Sequence, residues 1–571
     1  MNSLSIIVAG SGGAGAISTG TLLLNAAGLG GWYAYLTRSV GAQIRGGEAV
    51  AQLRISRERL ASHDDHFHVL LALDWKNLGK FASEMPLAAN GLIIGDPDQG
   101  EAPSEFLASG ARLAWLPMKQ LAQTIPGGRP NMVAMGVLAG LLGLPHPLLD
   151  TVLEKELAHK GATALAASRA AVKLGLEAIA SLPPIARLAA PQMSTEPRWT
   201  ITGNQATGLG AIRGGVRFVA AYPITPATEV LEWMAPALEE VGGVLVQVED
   251  ELAAINQIIG ASYGGTPSLT ATAGPGLALM TESIGLAVAS ETPIVVVDVM
   301  RGGPSTGIPA KSEQADLNIA LYGLHGDAPH LVLAANSVQD CIFTTQWAVH
   351  LAETLQAPAI VLSDQALGQT RAVIDRPPET IFSTKRLTAE PPATGAKYRR
   401  YTVTETGVSP MAIPGTPGCQ YTADGLEHSE TAVPSSLAVD HQRQLDKRER
   451  KLGCYDYGDA WADVEGDGTL ALITWGSCTG AAREAARIWR EEGRQIKLVS
   501  LRLLAPTQPD KFASLLDGVQ HALVIEQTHS RQFLRYLQAH YPLPSQVECL
   551  NRPGPLPIRS SEILGKLAKW K

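Results

Sequence analysis

Short apolar runs alternate along this chain with amphipathic segments of helical length. Residues 4–9 (LSIIVA) form the first run, closed by the glycine cluster Gly10, Gly12, Gly13 and Gly15, and a helical spacing through Leu22, Leu23 and Ala26 follows. The predicted order is strand, glycine-rich loop, helix. HVLLAL (68–73) and GLIIG (91–95) are further predicted strands among helical segments that extend to Leu182. Residues 1–182 are therefore expected to form one α/β domain. Within it, Met132 to Leu144 is apolar for about 13 residues before Pro145, short of the roughly 20 that cross a bilayer, and reads as a buried helix. Pro183, Pro184, Pro191 and Pro197 mark a linker over 183–198.

From 199 to 375 the alternation is clearer. VRFVAAY, VLVQVED, SLTATAG, TPIVVVDVM and APAIVLSD read as strands, with helical runs such as ATEVLEWMAPALEEV and LAAINQIIGASY between them. Near-continuous apolar strands of this kind predict a parallel sheet covered by helices on both faces. Residues 376–465 are proline-rich and polar, end near the charged run DKRERK, and retain Tyr398, Tyr401, Tyr421 and Tyr455, so they are expected to form an extended arm ordered against a neighbouring surface. A last α/β unit over 466–571 opens with TLALITWG. The fold class is multidomain α/β with parallel, doubly wound sheets.

Composition narrows the function. A length of 571 residues allows roughly three to four domains. Forty-six Lys and Arg against 54 Asp and Glu give a net charge of -8, which provides no basic field for nucleic acid. No membrane segment is expected either. The five cysteines, Cys341, Cys419, Cys454, Cys478 and Cys549, are scattered and odd in number, a pattern that fits a reducing cytoplasm better than a disulfide framework. They offer no local zinc or iron–sulfur run, so any redox centre is expected on another chain. The N-terminus lacks the basic region of a signal peptide.

Several motifs carry candidate chemistry beside a plainer explanation. GSGGAG, with Gly12 and Gly13, is either a phosphate cradle at a helix N-terminus or a tight strand-to-helix turn. No acidic residue stands in register about 20 residues later, which disfavours nicotinamide dinucleotide binding. Arg45, between glycines in GAQIRGGEA, is a phosphate contact or a surface ion pair. In AYPITPATE, Thr225 is either a hydroxyl held at the carboxyl end of a strand, where open α/β sheets bind ligands, or an N-cap with Pro226 at the first helical position. Glu249, Asp250 and Glu251 sit at a strand end and helix start, where acids also complement the helix dipole. Arg301, released from a strand into MRGGPSTGIP, suits a carboxylate grip or a structural ion pair. All three groups leave consecutive predicted strands at one expected sheet edge. GDG at 466–468 begins a diphosphate and Mg²⁺ motif but lacks its later asparagine, and reads as a turn.

The run from TGNQATGLGAIRGG through YPITPATE, EDELAAINQIIGASYGG, TATAGPGLALMTESIGLA and RGGPSTGIPAKSEQADL resembles the alpha subunit of 2-oxoacid:ferredoxin oxidoreductases, closest to the 2-oxoglutarate type. Residues 1–182 resemble that family's gamma domain fused upstream, 199–375 its thiamine diphosphate pyrimidine-binding domain, and 466–571 its transketolase-like C-terminal domain.

The resemblance implies thiamine diphosphate shared with a beta subunit, which would hold the Mg²⁺ and a [4Fe–4S] cluster. It implies coenzyme A as co-substrate, ferredoxin as electron carrier and an (alpha–beta)₂ assembly. It matches Glu251 to the cofactor-activating carboxyl, Tyr222 and Pro223 to the cofactor's surroundings, Thr225 to a substrate-contacting threonine and Arg301 to the arginine that holds the 2-oxoacid carboxylate. It offers Gly12, Gly13 and Arg45 as coenzyme A contacts. Pyruvate and branched-chain 2-oxoacids are rival substrates, with Lys311 and His325 weighed for a second carboxylate. A nicotinamide-dependent dehydrogenase and an inert coenzyme A-binding scaffold are the rivals of another class.

Overall fold

LSIIVA reads as continuously apolar because its strand, Ser3–Ser11, is buried on both faces. Leu4, Ile6 and Val8 enter one core and Ile7 and Ala9 another, as the two-residue repeat of a strand requires. The computed structural model describes residues 1–41, 47–191, 196–380, 382 and 385–570. Its contacts divide the chain into two units, one from Met1–Thr202, Gln369–Pro378 and Ile558–Lys571, the other from Gly203–Gly368 and Glu379–Pro557.

The first unit holds an eight-stranded sheet in the order Arg112–Trp115, Leu87–Gly95, Phe67–Ala72, Ser3–Ser11, Glu48–Ser56, Tyr33–Val40, Arg371–Ile374, Trp199–Thr202. The first four strands run parallel and every later pairing is antiparallel. This unit is thus mixed, not wholly parallel. The boundary expected at 199 also shifts. Trp199–Thr202 pairs with Arg371–Ile374, which in turn pairs with Tyr33–Val40, and Val373 joins the first unit's core. Helix Pro130–Leu142 is buried almost throughout, as its apolar run predicts.

The second unit contains two sheets. The larger, seven-stranded one runs Leu503–Ala505, Leu331–Ala334, Ala359–Asp364, Val295–Met300, Ser268–Thr272, Phe218–Ala221, Val244–Gln247. All pairings are parallel except that of Leu503–Ala505, so the carboxyl ends of the other six strands share one edge. Helices Thr228–Glu240, Glu251–Tyr263 and Gly274–Ala289 follow three of these strands. The five-stranded sheet is built on Ala462–Glu465, Lys497–Leu501, Leu470–Trp475, His521–Glu526 and Gln546–Asn551. The described residues of the expected arm include a helix, Ala438–Gly453, that their polarity does not announce. Lys447 and Lys451 of that helix are buried against Glu291, at 2.5 and 3.1 Å, and Arg400 Nη2 donates to the Glu291 carbonyl oxygen at 2.9 Å. No helix among the described residues is long and apolar enough to cross a membrane.

Candidate active site

Strands Val295–Met300, Ser268–Thr272, Phe218–Ala221 and Val244–Gln247 are neighbours, and each delivers a polar loop at the same edge. Residues 222–225, 248–251 and 301 therefore converge as expected, because parallel strands place every crossover's start on one side.

The acidic triplet divides its work. Asp250 is the N-cap of helix Glu251–Tyr263, its Oδ1 accepting from the Ala253 N–H at 2.7 Å. Capping is thus satisfied by one acid, and the next is free for another task. Glu251, first residue of the helix, turns inward: it is 7% exposed, and its carboxyl makes no hydrogen bond to a described residue. Glu251 lies over Gly276 in the first turn of helix Gly274–Ala289, where a Cβ would stand 2.8 Å from Glu251 Oε1 and 2.0 Å from Thr272 Oγ1. The glycine is what makes room for the buried acid.

Thr225 is not a helix cap. The following helix begins at Thr228 with Ala227 as N-cap, which leaves Thr225 and Tyr222 exposed at the edge and Pro223 half-buried. Arg301 is buried, and its Nη1 donates to the Thr225 carbonyl oxygen at 2.5 Å. It forms no salt bridge with a described residue, against the ion-pair alternative. Its Nε is buried with no partner. The guanidinium therefore keeps its Nε–Nη2 fork, the geometry that accepts a carboxylate side-on.

Two further acids, not singled out in the sequence, belong to this region: Asp316 lies within electrostatic reach of Arg301, and Asp298 within reach of Asp316. Asp298 interrupts the apolar strand Val295–Met300, is fully buried, and has both carboxyl oxygens unpartnered. That polar letter inside VVVDVM was the available signal. Burial, reinforced by Asp316, pushes the Asp298 carboxyl well above the carboxylate range, which favours its neutral form. Asp316 packs on Gly274, where a Cβ would lie 2.6 Å from each of its oxygens. Burial, then the Glu313 charge, raises Asp316 to about 7, with Arg301 opposing. The loop carrying Asp316 is pinned by Gln314, whose N–H donates to the Gln527 carbonyl oxygen at 3.0 Å and whose Nε2 donates to that of Trp475 at 2.9 Å. The five-stranded sheet thus positions this loop.

Of the remaining candidates, Lys311 meets this site through its backbone, its carbonyl oxygen accepting from the Gly302 N–H beside Arg301 at 3.1 Å, and His325 is exposed. Gly12 and Gly13 are exposed in the first unit, while Arg45 lies outside the described residues. The dinucleotide reading of GSGGAG fails on topology. The strand after helix Ala16–Leu29, Tyr33–Val40, does not adjoin Ser3–Ser11 and pairs antiparallel to Glu48–Ser56, whereas the dinucleotide fold needs a parallel βαβ unit. GDG is a turn whose Asp467 accepts from the Gly468 N–H at 2.9 Å.

Known proteins share this layout. Residues 209–447 match the family described as pyruvate flavodoxin/ferredoxin oxidoreductase, thiamine diphosphate-binding, and residues 5–178 match pyruvate ferredoxin/flavodoxin oxidoreductase. The chain is 28% identical to the alpha subunit of 2-oxoacid:ferredoxin oxidoreductase 2 from Aeropyrum pernix, over 100% of this chain and 98% of that one. It is 33% identical to the 2-oxoglutarate synthase subunit KorA of Methanothermobacter marburgensis, over 65% of this chain and 98% of the relative. Among solved structures, the 2-oxoglutarate:ferredoxin oxidoreductase of Magnetococcus marinus, described with 2-oxoglutarate, coenzyme A and succinyl-CoA bound, superposes with a TM-score of 0.90 at 36% identity, covering 100% of this chain and 99% of that one.

Proposed function

As a member of the 2-oxoacid:ferredoxin oxidoreductase family this chain is an oxidoreductase, and we propose that it is the gamma-fused alpha subunit of a 2-oxoglutarate:ferredoxin oxidoreductase. With coenzyme A and oxidised ferredoxin, 2-oxoglutarate would give succinyl-CoA, CO₂ and reduced ferredoxin, and the reaction would also run in reverse. The observation that carries this reading is a buried carboxyl with no hydrogen-bond partner among the described residues, Glu251, at the same sheet edge as an arginine fork with no salt bridge to a described residue, Arg301.

Both groups fit the coenzyme and substrate of that chemistry. Thiamine diphosphate supplies the nucleophilic carbon and the electron sink for decarboxylation when bound. Glu251, in a nearly dry position, would hydrogen-bond the aminopyrimidine ring and exchange a proton with it. Tyr222 and Pro223 would shape the wall beside that ring. Arg301 would hold the 2-oxoacid carboxylate through Nε and Nη2 while Nη1 stays anchored on the Thr225 carbonyl oxygen. The Thr225 hydroxyl would orient the keto group. Asp316, neutral below about 7, would there leave the arginine's charge for the substrate instead of neutralising it.

Among the described residues no three His, Cys, Asp or Glu side chains are grouped to hold a metal. In this reading a beta subunit would hold the Mg²⁺ and the [4Fe–4S] cluster, in a cytoplasmic (alpha–beta)₂ enzyme, with coenzyme A binding shared by the gamma-like region. Initial rates of viologen reduction by the co-expressed complex across 2-oxoacids, with coenzyme A and without NAD, test the substrate. 2-Oxoglutarate should be preferred; preference for pyruvate or a branched-chain 2-oxoacid would overturn it.

A further inference from the structure

Asp316 stands at the N-cap position of helix Leu317–Tyr322, yet its side chain does not cap that helix. Aspartate is among the best N-caps, and a capping residue has extended backbone. Asp250 shows this elsewhere in the chain, with φ -161°, ψ 175° and a side chain that accepts from the Ala253 N–H. Asp316 instead sits at φ -98°, ψ 8°, and its buried Oδ2 has no hydrogen-bond partner among the described residues. The carboxyl lies within electrostatic reach of Arg301.

The cap is supplied from the five-stranded sheet's side of the unit. Gln532 Oε1 accepts from the Asn318 N–H, in the first turn of the helix, at 3.0 Å, and Gln532 Nε2 donates to the Ala315 carbonyl oxygen at 2.9 Å. One carboxamide thus takes an N–H that a capping Asp316 would accept, and it fixes the peptide plane immediately before Asp316. Gln532 is itself well placed. It opens helix Gln532–His540, whose Phe533 and Leu534 N–H groups donate to the buried Glu526 carboxylate at 3.0 and 2.9 Å. At the other end of the two helices the Tyr322 hydroxyl and His540 Nε2 lie 2.8 Å apart, so the pair is joined at both ends. The groups that face Asp316 are Glu313 on its own loop, Arg301 and Asp298 from strand Val295–Met300 and the loop after it, and Gly274 of helix Gly274–Ala289.

We propose that Gln532 is a positioning residue for substrate binding: by capping helix Leu317–Tyr322 in place of Asp316, it keeps the Asp316 carboxyl turned toward Arg301. Its kinetic consequence rests on the reading of Arg301 as the holder of the 2-oxoacid carboxylate. Without the Gln532 amide, the Asn318 N–H and the Ala315 carbonyl are released, and an ionised Asp316 gains more by capping its own helix than by staying at the Arg301 site. The five-stranded sheet thereby acts on substrate affinity without touching the substrate.

A crystal structure and pH-resolved kinetics of Gln532→Met, in the full chain assembled with its beta subunit, test this. Methionine keeps the length and removes the amide, and Glu526 still holds the helix start. In crystals grown above pH 7 the Asp316 carboxylate should have turned onto the Asn318 N–H. The rise in KM for the 2-oxoacid above pH 7 should be lost, as in Asp316→Asn, with the change on KM and not on kcat, and the double variant Q532M/D316N should match D316N alone. A merely structural Gln532 would lower Tm and leave the KM profile in place. Asp316 unmoved in the variant structure, or a wild-type pH profile in Gln532→Met, overturns the proposal. The crystallographic result needs no substrate, so a complex that does not turn over 2-oxoglutarate sinks the functional reading and leaves this inference to be decided by the position of Asp316.

Discussion

Arg301 Nη1 donates to the Thr225 carbonyl oxygen at 2.5 Å, a bond that reaches across strand Ser268–Thr272, because Val295–Met300 and Phe218–Ala221 lie on its two sides. The contact uses backbone, not side chain, at residue 225. It fixes the guanidinium plane while sparing the Thr225 hydroxyl.

That anchor makes a lysine a poor substitute. In Arg301→Lys one ammonium must choose between the Thr225 carbonyl and the substrate carboxylate, so both Arg301→Lys and Arg301→Ala are expected to raise KM for the 2-oxoacid by about 10–100-fold. Thiamine diphosphate occupancy should stay near wild type. Steady-state kinetics beside a cofactor titration check this, and an unchanged KM would return Arg301 to a purely structural role.

Asp250 and Glu251 are adjacent acids with separable roles. Asp250→Ala removes the bond to the Ala253 N–H and should cost about 1 kcal/mol of stability with turnover retained. Denaturant unfolding and the viologen assay on one preparation provide both numbers.

Gly276→Ala tests the space reserved for Glu251. Its Cβ would meet Thr272 Oγ1 at 2.0 Å and Glu251 Oε1 at 2.8 Å, so the acid must shift. Activity should fall while folding is weakened by about 1–3 kcal/mol. Full activity would show that the position of Glu251 is not critical.

Asp316 makes binding depend on pH. Its carboxyl is raised from the ordinary 3.8 to about 7, chiefly by burial. Below that value it is neutral and Arg301 is left for the substrate; above it, a new carboxylate competes. KM should therefore rise as pH climbs through about 7, and Asp316→Asn should flatten the profile. The stability sign agrees: a folded-state pKa above the unfolded one contributes stability that is complete below about 4 and lost as pH rises through about 7. Thermal unfolding of wild type and Asp316→Asn across that window measures it.

The strands that carry the site were legible because two-face burial leaves an unbroken apolar signature, as in VVVDVM and SLTAT. Mixed or edge strands were harder. Tyr33–Val40, with Thr37, Arg38 and Ser39 in its second half, reads as polar and carries no strand signature. Leu331–Ala334 is four residues long, too short a run to stand out by pattern. Thr225 looked like a cap because Pro226 follows it, yet only tertiary structure decides that the helix waits until Thr228. DKRERK reads as solvated charge, but its lysines face a single buried Glu291 contributed by a segment about 150 residues earlier. No local pattern encodes that pairing. The acids around Arg301 escaped for the same reason, since their chemistry arises from burial.

Turnover of Glu251→Gln in the co-expressed alpha–beta complex addresses the central assignment most directly. The amide preserves shape and removes the exchangeable proton. The account predicts a loss of kcat on the order of 10²–10⁴-fold, with subunit assembly and thiamine diphosphate content unchanged. Near-wild-type kcat at full cofactor content would contradict it and leave this carboxyl a feature of the helix start alone.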